Sequence, residues 1–221
     1  MKSFRFILVL ALFTAMGFSQ KAAAQMSTPP ASKAELEAIY NTSIENRASD
    51  ILKSINISDS AKSNAVHSLI VAQYRALRAR DEAIDAKLQA DGKEINYSNR
   101  AADLVVETKP LHDQFVAKLA QEVTPVQMDQ IKDGMTYNKV KFTYDAYCNI
   151  VPDLTDADKA KIHELLKDAR EEAIDGGNAP EKSSIFQKYK DQINDYLNAH
   201  GHDVAKATQA WKAKQVSASA K

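Results

Sequence analysis

Residues 58–92 read SDSAKSNAVHSLIVAQYRALRARDEAIDAKLQADG and contain a long, regular apolar pattern. The large apolar residues recur mostly at steps of three or four positions, which is the spacing of one face of an α-helix. They are Val66, Leu69, Ile70, Tyr74, Leu77, Ile84 and Leu88. Asp91-Gly92 follows the last of them, and glycine often ends a helix. The stretch therefore predicts one long amphipathic helix.

Similar apolar stripes cover most of the chain after residue 31 and predict further helices. Three of these begin at a hydroxyl residue that can cap a helix: Ser32 with Glu35, Thr124 with Gln127, and Thr155. Only six glycines and six prolines occur, and alternating apolar segments are almost absent, which argues against a sheet. The predicted fold is therefore an all-α bundle of six or seven helices.

Two local signals predict interruptions of these helices. Pro110 lies within a helical stretch that runs from about residue 98 to residue 123, and it predicts a kink or break there. Gly134 predicts the end of the helix that begins after Thr124. Residues 135–142 are then expected to be non-helical.

Residues 1–24 have the composition of a secretory signal peptide. Two basic residues precede the apolar residues 6–18, a segment too short to span a bilayer, and Ala22-Ala23-Ala24 supplies small residues for cleavage. We expect cleavage between Ala24 and Gln25 and a periplasmic or extracellular protein. An uncleaved membrane anchor is the alternative, but polar residues from Ser19 onward end the apolar segment too early.

The predicted mature chain divides into a flexible leader (residues 25–31), a single helical domain (residues 32–214) and a flexible tail (residues 215–221). Its one cysteine, Cys148, has no partner for an intramolecular disulfide, so packing must stabilise the fold. Loss of residues 1–24 removes three of the 29 basic residues and none of the 29 acidic ones. The resulting negative charge argues against a nucleic-acid partner and against stable membrane insertion of the mature chain.

Two segments of the chain resemble each other. Ile57-Ser58-Asp59 is similar to Leu154-Thr155-Asp156, and further on Arg80–Asp85 (RDEAID) is similar to Arg170–Asp175 (REEAID). The two spacings differ by seven residues, about two helical turns, so the same helix face is retained. A duplicated helical hairpin explains this match, and so does convergence of two capped amphipathic helices.

Arg80 and Arg170 both fall on the apolar stripe of their helix, where arginine is seldom buried unless it is paired. Candidate partners nearby include Asp81 and Asp175. If the helices pack side by side, the two guanidinium groups could flank one polar site that binds a carboxylate or sulfate, as in an acidic sugar. The alternative is an ion-pair network that fixes the register of the helices.

A second candidate site lies around the expected non-helical segment. Asp133 and Tyr137 belong to it, and Tyr144 and Tyr147 follow closely. Aromatic faces beside a loop are surfaces on which sugar rings stack. The alternative is that these tyrosines pack a crossover between helices.

No cofactor and no metal site is expected. His200 and His202 have a spacing that occurs in metal sites, but they lie at a helix end without accompanying ligands. The other three histidines, among them His112, are isolated in the sequence, and no serine or cysteine carries a recognisable catalytic signature.

Some segments resemble known families. Thr124-Pro125-Val126-Gln127 and Leu154-Thr155-Asp156 resemble the L-T-x-x-Q motifs of cradle-shaped periplasmic stress chaperones, although Asp158 replaces the last glutamine of the second motif. A larger set of segments covers nearly the whole predicted mature chain and resembles domain-of-unknown-function family 3826. These segments are Gln73-Tyr74-Arg75, Arg80-Asp81, residues 133–137 and 152–155, Ala169-Arg170-Glu171, Ala173-Ile174-Asp175, Lys188-Tyr189-Lys190, Ile193-Asn194 and Tyr196-Leu197.

The second resemblance implies a secreted bacterial protein, often encoded among polysaccharide-degrading enzymes, and implies no particular activity. We therefore expect a non-enzymatic binding or accessory protein, with an acidic oligosaccharide or a protein partner as its ligand. One alternative is a glycan-active enzyme, in which Asp81 or Asp175 acts with Tyr137 as acid and base while Arg80 or Arg170 neutralises a uronate. Another is a chaperone-like helical cradle.

Overall fold

A computed structural model of the chain describes residues 32–219, which form eight α-helices and, within that range, no strand. The helices are α1 (Lys33–Lys53), α2 (Ser60–Ala90), α3 (Tyr97–Glu122), α4 (Pro125–Met135), α5 (Lys139–Ile150), α6 (Asp156–Ala173), α7 (Ala179–Ala199) and α8 (Val204–Ser219). The prediction of an all-α fold is confirmed. The predicted number of six or seven helices is slightly too small.

The predicted signal peptide (residues 1–24) and leader (residues 25–31) lie outside the described residues. At the other end, residues 215–219 of the predicted tail extend α8. Among the helices between residues 32 and 219, none is long and apolar enough to cross a membrane.

The predicted capping residues begin their helices. Ser32 and Thr124 each form a complete capping box, with Glu35 and Gln127 respectively, and Thr155 forms one with Asp158. In each box a side-chain oxygen accepts from a backbone N–H that has no partner inside the helix. Capping thus accounts for the threonines of the two chaperone-like motifs.

The helix α3 continues through Pro110, so the expected break is absent. Proline removes one hydrogen bond to the carbonyl four residues earlier, here that of Val106. Both Pro110 and Val106 are exposed. Because this side of α3 faces solvent, water can hydrate the carbonyl that has lost its partner.

The non-helical segment between α4 and α5 is shorter than predicted and consists of Thr136, Tyr137 and Asn138. Tyr137 (φ 60°) and Asn138 (φ 55°) are left-handed and reverse the chain. Gly134 does not end α4. A Cβ at this position would lie 2.9 Å from Cγ2 of Ile51, so the glycine permits close packing of α4 against α1.

The eight helices form two units with the same packing pattern. In unit 1 (α1–α4), α2 packs against α1 and α3, and α4 packs against α1 and α3. In unit 2 (α5–α8), α6 packs against α5 and α7, and α8 packs against α5 and α7. Each unit has its own cluster of buried apolar side chains. The first part of the α2 stripe, from Val66 to Tyr74, therefore packs in the core of unit 1.

The two units meet where the end of α6 contacts α2, α3 and α4. We call this contact region the junction; unit 2 contributes residues 170–175 to it. Among these residues Ala173 and Ile174 are fully buried; Ala173 packs in the core of unit 2, whereas Ile174 packs into the core of unit 1. The other contacts across the junction are hydrogen bonds and ion pairs.

Candidate functional site: the junction and the adjoining cleft

Arg80 of α2 reaches across the junction. Its Nε and Nη2 atoms donate to Oδ1 of Asp81 at 3.1 and 2.8 Å. Its Nη1 donates to Oγ1 of Thr108 on α3 at 2.8 Å and to the backbone oxygen of Asp175 in unit 2 at 3.0 Å. Only 3% of the side chain is exposed. The guanidinium group is thus desolvated and held from three directions.

Arg170 of α6 crosses the junction in the opposite direction. Its Nη2 donates to Oδ1 of Asp129 at 2.6 Å, and its Nη1 donates to Oδ1 of Asp133 at 3.0 Å. Both aspartates belong to α4 of unit 1. Each arginine thus occupies a position of its helix that faces the other unit. There a backbone carbonyl accepts from Arg80, and two carboxylates accept from Arg170.

Two carboxylates of unit 2, one turn apart, receive side chains from unit 1. Oδ1 of Asp175 accepts from the amide of Gln73 at 3.1 Å, and its Oδ2 lies 2.6 Å from Nδ1 of His112. Oε1 of Glu171 accepts from Nζ of Lys132 at 2.5 Å and lies 3.4 Å from Nε2 of His112. The imidazole of His112 is therefore held between two carboxylates, one at each ring nitrogen.

This arrangement shifts two pKa values in opposite directions. The hydrogen bonds from His112 to Asp175 and then to Glu171 raise the pKa of the imidazole to about 9. The hydrogen bond with His112, supported by Lys132, lowers the pKa of Glu171 to about 2. At neutral pH the junction therefore contains an imidazolium ion beside the ionised carboxylate of Glu171.

We expect the contribution of His112 to the free energy of unfolding to be lost as the pH rises from 6.5 to 9. The pKa of His112 is raised on folding, so its contribution is complete below the unfolded value of 6.5 and is lost through the folded value of about 9. Because the imidazole is partly exposed, solvent screening reduces this contribution to about 1–2 kcal/mol. Urea unfolding of wild type and His112→Gln over this pH range measures it.

The comparison with His112→Gln is needed because Lys182 changes the stability in the opposite direction between pH 8 and 10.5, which overlaps the range of His112. Burial lowers the pKa of Lys182 to about 8, so its effect on stability increases with pH. The difference between wild type and His112→Gln isolates the histidine. Parallel stability curves for the two proteins would show that His112 makes no such contribution.

The turn after α6 is fixed by close contacts. Nζ of the buried Lys182 donates to the backbone oxygens of Ala173 and Ile174 at 2.8 and 3.0 Å, which caps the end of α6. Gly177 lies against Asp81, and a Cβ at this position would be 1.9 Å from Oδ2 of Asp81. The glycine therefore allows the turn of unit 2 to approach the carboxylate that holds Arg80.

A cleft of about 1030 Å³ adjoins the junction, between α3 of unit 1 and α7 of unit 2. Its floor includes Arg80, Thr108, His112, Glu171 and Asp175. Apolar and aromatic side chains from the segment before α3, from the first half of α3 and from α7 also line the cleft. These are Ile95, Tyr97, Leu104, Val105 and Ile185. The polar groups of the junction are thus accessible from one open, partly apolar cleft.

The structure separates the predicted site residues into several places. Arg80, Asp81 and Asp175 come together beside the cleft, whereas Arg170 and Asp133 pair on the side of the junction that adjoins α4. The two arginines share the junction, but only Arg80 lines the cleft.

The predicted tyrosines do not line the cleft. The guanidinium of Arg47 lies over the ring of Tyr137, and its Cζ is 4.2 Å from the ring centroid. Tyr144 meets His163 edge to face, and Tyr147 is buried in unit 2, where its hydroxyl donates to Oδ1 of Asn194 at 2.8 Å. These contacts agree with the alternative in which the tyrosines pack helices together.

Sequence reasoning missed His112, which is the central residue of the junction. It also missed four partners from α2, α3 and α4: Gln73, Thr108, Lys132 and Arg100, which pairs with Asp81 at 3.2 Å. A usable signal existed, because Thr108 and His112 are one helical turn apart, as are Glu171 and Asp175. Within residues 32–219 no group of three histidine, cysteine, aspartate or glutamate side chains could hold a metal ion.

A family model described as "Protein of unknown function (DUF3826)" matches residues 41–217. A comparison with curated proteins gives no match. The matched range covers most of the chain and includes every residue of the junction and the cleft. The chain therefore belongs to the DUF3826 family, and the resemblance that the sequence predicted is confirmed.

Proposed function

We propose that this member of the DUF3826 family is a non-enzymatic binding protein that holds an oligosaccharide in the cleft between α3 and α7. The observation that supports this proposal most directly is the cleft itself, with a volume of about 1030 Å³. Ligand sites in proteins are typically concave, roughly 300–1,000 Å³ in volume, with apolar walls and a few fixed polar groups. The cleft combines these properties, since the junction fixes its polar floor.

The chemistry of the cleft suits a sugar. Sugar rings have apolar faces and hydroxyl edges, so they bind where an aromatic side chain lies beside polar groups. Tyr97, at the start of α3, lines the cleft and is 69% exposed, which leaves its ring free to stack on a ligand. The carboxylates Glu171 and Glu181 line the same cleft and can accept hydrogen bonds from hydroxyl groups.

The proposal includes export and a role as an accessory protein in polysaccharide breakdown. The predicted signal peptide of residues 1–24 supports a periplasmic or extracellular location, where polymeric sugars occur. A protein in the periplasm or outside the cell can meet both neutral and acidic oligosaccharides.

One observation favours an enzyme as a second candidate. Nδ1 of His112 lies 2.6 Å from Asp175, the kind of pairing that orients a histidine for acid–base catalysis. However, Glu171 lies against the other ring nitrogen, and Tyr137, the predicted partner in catalysis, is not in the cleft. The binding protein is therefore the better supported of the two.

We also propose that the two units arose by duplication. The matching segment RDEAID lies in the second half of α2, and REEAID spans the end of α6 and the two residues after it; α2 and α6 are the second helices of their units. The equivalent packing of α1–α4 and α5–α8 supports a repeat of four helices, larger than the hairpin predicted from sequence.

A thermal-shift screen against neutral and uronic oligosaccharides tests the binding proposal. A ligand at about 100 times its Kd should stabilise the protein by about 2.7 kcal/mol. Ser184→Trp places a large side chain in the cleft and should abolish the shift. Ser183→Trp is the matched control, because Ser183 is exposed on the same helix and does not line the cleft.

Three results would change the proposal. A shift that survives Ser184→Trp would move the site away from the cleft, and Tyr137→Ala would then test the segment between α4 and α5. Product formation during incubation would favour the enzyme. The absence of a shift with every oligosaccharide would contradict sugar binding.

A further inference from the structure

The pairing of charges in the cleft bears on which sugars it accepts. We propose that the cleft selects neutral oligosaccharides over uronic ones and that Glu181 determines this selectivity. The inference rests on the proposed function and specifies its ligand class. It departs from the expectation of an acidic ligand, which assumed that the arginines are available to a uronate.

Every cation that lines the cleft is already paired with a carboxylate of the protein. Arg80 and Arg100 share Oδ1 of Asp81, at 2.8 and 3.2 Å. The remaining pairs are Arg100–Asp85 at 3.0 Å, Lys109–Asp113 at 2.6 Å, Lys188–Glu172 at 2.7 Å and His112–Asp175 at 2.6 Å. At the buried Arg80 a ligand carboxylate would have to displace Asp81 before it could form an ion pair. Lys109 and Lys188 are exposed, so an ion pair with either would be screened by solvent and contribute little.

Arg80 shows why such a displacement is unfavourable. Its guanidinium also donates to Thr108 and to the backbone oxygen of Asp175, so its position is fixed from both units. Asp81 cannot retreat freely, because Gly177 packs against its Oδ2 and Arg100 holds its Oδ1. Exchange of Asp81 for a ligand carboxylate would leave Asp81, whose side chain is 16% exposed, without the partner that both donates to it twice and lies nearest.

Glu181 differs from the other carboxylates that line the cleft. It accepts from the backbone N–H of Gly177 at 2.7 Å, and among residues 32–219 no cation lies within ion-pair distance of it. Glu171 adds a second acceptor, because Lys132 and His112 both contact its Oε1 and leave Oε2 available. Glu181 is thus a carboxylate in excess, because it has no cation as a partner, whereas each cation of residues 32–219 that lines the cleft has a carboxylate partner.

The excess carboxylate discriminates between sugars by charge. A hydroxyl group can donate to Glu181 or Glu171, whereas a uronate placed there meets a like charge in a partly desolvated site. We expect a neutral oligosaccharide to bind at least about tenfold more tightly than a uronic one of equal length.

Isothermal titration calorimetry tests this selectivity with matched neutral and uronic oligomers: cello-, xylo- and manno-oligosaccharides on one side and oligogalacturonates on the other. Glu181→Gln removes the charge but keeps an oxygen that can accept from Gly177. This variant should bind the neutral oligomer and reduce the preference over the uronic one by about tenfold. Glu164→Gln is the control, because Glu164 lies on α6 in an exposed pair with Lys161, away from the cleft.

The outcomes separate the two proposals. Binding of oligogalacturonate as tight as that of the neutral oligomers would overturn the selectivity and leave the sugar-binding function intact. A preference for neutral sugars that Glu181→Gln leaves unchanged would show that Glu181 does not determine it. If none of the oligomers binds, the proposed function itself fails and the selectivity fails with it.

Discussion

Arg80→Ala should lower the free energy of unfolding by about 3–5 kcal/mol, because the change leaves buried partners without their cation. Asp81 would keep only Arg100 as a partner at its Oδ1 atom. Thr108 and the backbone oxygen of Asp175 would lose the donor that joins α2 and α3 to unit 2. Urea unfolding followed by circular dichroism measures the loss.

Two further variants define the cause of this effect. Lys87→Ala is the control: Lys87 lies two turns further along α2 in an ion pair with Asp103, and its side chain is 60% exposed. Removing an exposed pair of this kind should cost about 0–1 kcal/mol. Arg80→Lys keeps the charge but not the planar fork, so it should be intermediate. Equal losses for Arg80→Ala and Lys87→Ala would contradict the role of the junction.

Ile174→Ala should lower the free energy of unfolding by about 2–5 kcal/mol, the usual cost of such a truncation in a core. Ile174 is fully buried and is the one apolar side chain that unit 2 places in the core of unit 1. Ile39→Ala is the control, because Ile39 is 59% exposed on α1 and its truncation should change stability by about 0.5 kcal/mol or less.

A second measurement distinguishes loss of coupling from general destabilisation. Trp211 is the one tryptophan of the sequence and lies on α8, so its fluorescence reports on unit 2, whereas circular dichroism reports on both units. In Ile174→Ala the two signals should give separate urea transitions, since the apolar contact between the units is lost. If fluorescence and circular dichroism gave the same transition in Ile174→Ala, with the urea midpoint of wild type, this role of Ile174 would be contradicted.

Local signals predicted the helices well. Ser32, Thr124 and Thr155 act through backbone groups a few residues away, so their effect is visible in a short stretch of sequence. Gly134 misled because glycine has two uses that look alike in sequence. It can end a helix, or it can allow a neighbouring helix to approach, and here the neighbour is Ile51, far away in the chain.

The site was predicted only in part, for a physical reason. Arg80 and Arg170 attracted attention because a charged residue on an apolar stripe needs a partner. The identity of the partners depends on which helices meet, and Gln73 and Asp175 are 102 residues apart. The role of His112 was missed because neither of its carboxylate partners is near it in the sequence, so its one-turn spacing from Thr108 did not indicate what it binds.

The division into two units also bears on the order in which the chain assembles during synthesis. All four helices of unit 1 are complete once Met135 has been added, before any of α6 exists. Domains generally fold from the N-terminus as the chain is made. The pocket for Ile174 can therefore form early and remain open to water until residues 156–174 have been synthesised. Unit 2 then docks on a unit 1 that has already folded.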